Sequence, residues 1–133
     1  MDKLNTFKIL VFGLPGSGKT TFARQLAVNM AYFNADDIRK MYNDWDFSIE
    51  GRLRQAERMN CLANLVDGTV VVDFICPYDN NRKDYDVTVW MNTIKDGRFE
   101  DTNKIFEKPT NCTFEITDFN YGHIIKDIHD KLQ

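Results

Sequence analysis

The 133 residues make one domain, 1–133, rather than two, and a chain of this length buries roughly two-thirds of its unfolded surface on folding. A net charge of −3 excludes a uniformly basic nucleic-acid binder; a local basic patch stays open, so a nucleic-acid acceptor is disfavoured without being excluded. No apolar run approaches membrane-spanning length, and Cys61, Cys76 and Cys112 are too scattered for a disulfide framework or a zinc site, which predicts reduced thiols in the cytoplasm and no membrane partner.

In chain order, Met1 to Thr6 run straight into Phe7 Lys8 Ile9 Leu10 Val11 Phe12, so no leader segment is expected. This apolar run is short and rich in β-branched and aromatic residues, as a buried strand is. It delivers the chain to Gly13 Leu14 Pro15 Gly16 Ser17 Gly18 Lys19 Thr20, a complete match to G-x-x-x-x-G-K-[ST]. The glycines of such a loop let successive N–H groups turn inward on an anion. Lys19 is placed to reach the β- and γ-phosphates of a nucleotide, and the Thr20 hydroxyl to ligate magnesium. Thr21 completes the expected nucleotide-binding stretch. A helix from about Gly18, with Phe22, Leu26 and Met30 at helical spacing, adds its positive end beneath the phosphates. A nucleoside triphosphate with Mg2+ is therefore expected here.

Ala31 Tyr32 Phe33 Asn34 is short enough for a second strand, and Asp36 and Asp37 are placed to cap the helix that follows. A longer helix is predicted over 48–66, capped by Ser48, with Glu50 in its first turn and Leu53, Met59, Leu62, Ala63 and Val66 as its apolar stripe; Asp67 and Gly68 should stop it. Residues 69–75 read as the clearest strand, nearly continuous in apolar residues and so expected at the centre of a sheet covered on both faces. A short helix over 79–85, a strand over 87–91, a charged exposed flap from Asn92 closed by Pro109, a strand over 113–117 and a final helix with Ile124, Ile125, Ile128 and Leu132 inward complete the pattern. Alternating strands and helices predict an α/β, three-layer P-loop nucleoside triphosphate hydrolase fold with about five parallel strands, its ligands at the strands' carboxyl ends.

Three kinds of protein use such a loop: phosphotransferases, regulatory GTPases and ATP-driven machines. The guanine-reading Asn-Lys-x-Asp is absent, because Asn103 Lys104 continues as Ile105 Phe106, and motors need larger domains. A small-molecule kinase remains. Phosphoryl transfer needs a carboxylate for the acceptor hydroxyl, a metal and cations. Asp36 and Asp37, where the second strand should end, are the candidate carboxylates, with helix capping as their alternative. Asp73 interrupts an apolar strand, where an unpaired charge is costly; it serves either magnesium-bound water or a structural hydrogen bond.

The segment Asn34 Ala35 Asp36 Asp37 Ile38 Arg39, then Asn43, Phe47 Ser48 and Arg52, resembles the adenylylsulfate kinase pattern in which D-G-D-N-[VI]-R leads to N-x-x-x-G-F-S-x-x-x-R. Phe74 Ile75 Cys76 Pro77 Tyr78 with Arg82 is similar to that family's F-I-S-P-Y-x-x-x-R. With the glycine loop, the likeness spans residues 7–93. It implies ATP-dependent transfer to the 3′-hydroxyl of adenylylsulfate by a compact, short-lidded enzyme, and it makes a homodimer plausible. Lys19 and Asp36 are then catalytic, Thr20 and Asp73 serve the metal, Arg39 and Arg52 hold the phosphosulfate, and Phe47 stacks on the acceptor's adenine. Gln55, Ile75 and Cys76 fall on the same motifs and join the acceptor set, as do Lys95, Arg98 and an aromatic of the flap, Phe99 or Phe106. The departures are Asn34 and Ala35 within D-G-D, Gln55 for asparagine, Cys76 for serine and the shortened lid. A kinase of the same build acting on a nucleoside, sugar, nucleic-acid end or modified base, and a nucleotide-binding module without transfer, are the alternatives.

Overall fold

The computed structural model describes residues 4–133; the expectation of no leader rests partly on Met1, Asp2 and Lys3, which lie outside them. The elements follow in the order β1 (Thr6–Phe12), α1 (Lys19–Leu26), β2 (Ala31–Asn34), α2 (Ala35–Tyr42), α3 (Ile49–Ala63), β3 (Gly68–Asp73), α4 (Asp79–Arg82), β4 (Val87–Met91), α5 (Glu100–Ile105), β5 (Phe114–Ile116) and α6 (Gly122–Lys131). Among the described residues, the five strands form one parallel sheet in the order β2-β3-β1-β4-β5.

Alternation along β1 divides the core in two. Ile9 and Val11 face α1 and α6, packing with Phe22, Leu26, Val71, Val89 and Ile128. Leu10 and Phe12 face α2 and α3, packing with Ile38, Met59, Val70 and Val72. Burial on both faces is why the strand sequences read as continuous apolar runs. Tyr121 meets Phe22 edge to face at 4.9 Å, closing α6 onto α1.

Several boundaries differ from the sequence expectation. The middle strand is β1, and β3 lies beside it, between β1 and β2. Helix α1 ends at Leu26, so Met30 packs on the core from a turn instead of from the helix. Helix α3 ends at Ala63, before Asp67 and Gly68, and Leu53 of its predicted stripe is 45% exposed. Asp36 and Asp37 do not cap α2. Asn34 does, its Oδ1 accepting from the backbone N–H groups of both, which leaves the two carboxylates free of that duty. Ser48 caps α3 as expected, accepting from the Gly51 N–H at 3.2 Å. The flap is not simply exposed either: α5 lies within it, Thr102 is buried and Phe106 packs on the core. The charged residues dominated its sequence, but inward positions four apart decide its packing.

Gly51 sits where α3 passes the turn that precedes it, and a Cβ there would overlap the Asp46 carbonyl. Replacing a helical glycine by alanine ordinarily stabilises by up to about 1 kcal/mol. Here the backbone overlap outweighs that gain, so Gly51→Ala is expected to lower stability by about 1–3 kcal/mol, read from urea unfolding.

Candidate active site

The carboxyl ends of β1, β2 and β3 surround a cavity of about 360 Å³ lined by Pro15, Lys19, Thr20, Asn34, Asp36, Arg39, Phe47, Arg52, Gln55, Asp73, Ile75, Cys76, Arg98, Phe99 and Asp101, among others. Parallel strands place their last residues side by side, so Asn34 of β2 and Asp73 of β3 stand in register. Asn34 Nδ2 donates to Asp73 Oδ2 at 3.0 Å and lies 3.3 Å from Thr20 Oγ1. The Tyr32 hydroxyl donates to the same carboxylate oxygen at 2.7 Å, and burial, followed by Asp73, pushes the phenol's pKa well above its ordinary value. Asp73 is therefore a hydrogen-bonded buried carboxylate, which is what keeps it in an apolar strand.

The glycine loop is shaped by its neighbours. Gly18 takes φ 89° and a Cβ there would lie 2.8 Å from the Phe119 ring, so only glycine fits. Gly13 is as crowded, since its Cβ would fall 2.7 Å from the Met91 carbonyl. Lys19 Nζ lies 3.5 Å from the Leu14 carbonyl; burial lowers its pKa, and Asp73 and then Asp36 act against that fall. The Ser17 carbonyl accepts from the Thr93 hydroxyl at 2.7 Å, which fastens the root of the flap to the loop. Gly16 is exposed at the loop's tip, and Thr21 is exposed on α1, away from the cavity wall.

The wall around Phe47 rests on arginines. Arg39, 5% exposed, donates from Nη1 to the carbonyls of Asp44 and Asp46 and lies 4.3 Å from the Phe47 ring centroid. Arg52 donates through Nε to the Phe47 carbonyl at 2.8 Å and lies 5.5 Å from the same ring. The two guanidiniums thus hold Phe47 in place as a partly exposed aromatic on the cavity wall. Gln55 uses both ends of its amide inside the protein, donating to the Ala35 carbonyl at 3.2 Å and accepting from Arg58 at 2.9 Å. Cys76 takes φ 45° immediately before Pro77, and its carbonyl accepts from Arg82 Nε at 3.0 Å.

Two expected acceptor residues lie elsewhere. Lys95 is exposed and is not on the wall. Phe106 stacks with Phe12 at 6.4 Å and shares the Arg82 guanidinium with it, because the chain after α5 turns inward; Phe99 is the flap aromatic on the cavity.

A family model described as adenylylsulphate kinase matches residues 5–111. The chain belongs to the adenylylsulphate kinase family. No curated protein sequence matches it. Among solved structures it is similar in fold to the Mycobacterium tuberculosis APS kinase CysC, with a TM-score of 0.73 at 19% identity, covering 96% of this chain and 96% of that one. It is also similar to shikimate kinase from Aquifex aeolicus, with a TM-score of 0.62 at 14% identity over 95% and 96%. A gluconokinase from Sinorhizobium meliloti gives 0.58 at 13% over 98% and 99%. As a member of the adenylylsulphate kinase family the protein is an ATP-dependent P-loop kinase. Among the described residues no helix is long and apolar enough to cross a membrane.

Compared with the family pattern, Asp46 precedes Phe47 where the motif has glycine, and the turn from Asn43 is one residue shorter. Asp44 ties that turn down, accepting from Arg54 and Arg58 at 2.8 to 3.1 Å. Ligands expected at the strands' carboxyl ends bring Asn34 and the flap to the site, but sequence reasoning assigned no role to Asn34, Asp101 or Thr102, which line the wall. The Asn34–Asp73 bond was the most accessible of these, since both are polar residues closing apolar strands.

Arg54, then Arg58, holds the Asp44 carboxyl well below the usual carboxylate range. Its contribution is complete above the unfolded aspartate pKa of about 3.9 and disappears as the carboxylate takes up a proton below it. Melting temperature should therefore fall on acidification from about pH 5, and Asp44→Asn should flatten that fall. Burial pushes the Cys76 thiol up to about 12. Iodoacetamide at about pH 8 should alkylate exposed Cys61 and spare Cys76 until the protein is unfolded, as read by peptide mass spectrometry.

Proposed function

We propose that the protein transfers the γ-phosphoryl group of ATP to the 3′-hydroxyl of adenylylsulfate. The observation that carries this reading is the position of Phe47, an aromatic backed by Arg39 and Arg52 on the wall of the cavity that also receives Lys19 and Asp36. An aromatic ring suits a planar base, and two cations beside it suit an anionic tail. Asp36 accepts the hydroxyl proton as the acceptor oxygen bonds to the γ-phosphorus and the bond to the β-phosphate oxygen breaks, releasing ADP. Lys19 and the N–H groups of the glycine loop hold the charge that develops on the phosphoryl oxygens.

Magnesium suits the same place. Thr20 Oγ1 and Asp73 Oδ2 both lie within 3.3 Å of Asn34 Nδ2, so two oxygens of the kind that a hard cation takes face the same amide. Among the described residues no three His, Cys, Asp or Glu side chains converge, so the rest of the shell would come from nucleotide oxygens and water. When bound, the ion neutralises phosphate charge. A second reading, a kinase for another hydroxyl acceptor, is favoured by the occupied donors of Arg39 and Arg52, which already meet backbone carbonyls and α5.

The test is ADP release with ATP, magnesium and adenylylsulfate, run beside nucleoside, sugar and oligonucleotide acceptors. Turnover with adenylylsulfate that Lys19→Ala abolishes is the expected result; turnover only on another acceptor establishes the second reading. Asp36→Asn should lower kcat by about 10²- to 10⁴-fold while ATP affinity stays within about twofold. A loss of thermal stability in place of that rate loss would make Asp36 structural.

A further inference from the structure

Arg52 is 6% exposed, and among the described residues the one carboxylate within ion-pair distance is Asp101, at 3.4 Å from Nη2. The same Nη2 donates to the Thr102 hydroxyl at 3.1 Å, so the first turn of α5 is fastened to α3 through one guanidinium. Asp101 is 73% exposed, and both residues line the acceptor cavity. A buried cation needs a counter-charge, and leaving it unpaired is expensive. The pair itself, with one partner in water, contributes little. The carboxylate is therefore readily exchanged for another anion, but not readily lost without one.

We propose that Asp101 sets the charge preference of the acceptor subsite: its carboxylate occupies the edge of Arg52 that an anionic acceptor needs, so the two compete. An anion entering the cavity displaces Asp101 and leaves the Thr102 hydroxyl as the α5 group bonded to Arg52. An uncharged acceptor leaves the pair in place. This rests on the acceptor reading above for the identity of the natural anion, while the competition can be measured without it.

Inorganic sulfate is the probe, added to the 133-residue chain whose glycine loop is already filled with ADP and magnesium, and followed at the Arg52 Nε–H resonance. Asp101→Asn keeps the shape and the hydrogen bond to Arg52 but removes the charge; Asp101→Glu keeps the charge. The asparagine variant should half-saturate at about three- to tenfold lower sulfate than the native protein, and the glutamate variant should match the native protein. Equal or weaker sulfate binding by the asparagine variant overturns the proposal, as does the absence of any sulfate response at Arg52 in both. Adenylylsulfate is then titrated into the same proteins. If neither binds it while the sulfate difference persists, the competition stands and the adenylylsulfate reading falls. If the native protein and the asparagine variant bind it equally and respond equally to sulfate, the competition falls and the acceptor reading stands.

Discussion

Everything at the nucleotide side of this molecule depends on one planar amide. Asn34 ends β2, caps α2 through its oxygen and bonds Asp73 at the end of β3 through its nitrogen, within 3.3 Å of the Thr20 hydroxyl at the start of α1. Four elements are thus registered to one side chain, and the amide can do this because it accepts at one end and donates at the other. A carboxylate could cap the helix, but it could not donate to Asp73.

The loops around the cavity depend on buried guanidiniums used for construction. Arg82 lies over Phe12 and Phe106 and donates to the carbonyls of Cys76, Pro77 and Glu107, joining the strained turn after β3 to the chain that follows the flap. Arg39 does the same for the turn that presents Phe47. Backbone carbonyls in irregular segments lack ladder partners, and a five-donor planar group can satisfy several of them together. Arginine density around this cavity is therefore partly a consequence of how many loops meet there.

The sheet was readable because parallel strands covered on both faces carry uninterrupted apolar runs, and β2 and β4 matched to the residue. The glycine loop was readable because its geometry tolerates few substitutions. What was not readable depended on contacts between distant segments. Phe106 and Phe99 are equivalent in composition and separated by α5, so only the path of the chain decides which of them reaches the cavity. Met30 and Val66 keep helical spacing after their helices have ended, since the core rewards the position of the side chain and not the backbone that carries it. Asp101 looked like one charge among many because nothing near it in sequence marks Arg52 as its partner.

Asparagine at position 34 also alters the electrostatic potential of the cavity. Its wall carries Lys19, Arg39, Arg52 and Arg98 against Asp36, Asp73 and Asp101, a surplus of one positive charge that an aspartate at 34 would cancel. The whole chain carries −3. The basin is thus locally attractive to polyanions on a molecule whose total charge repels them, so approaching nucleotides are steered toward the cleft and away from the remaining surface.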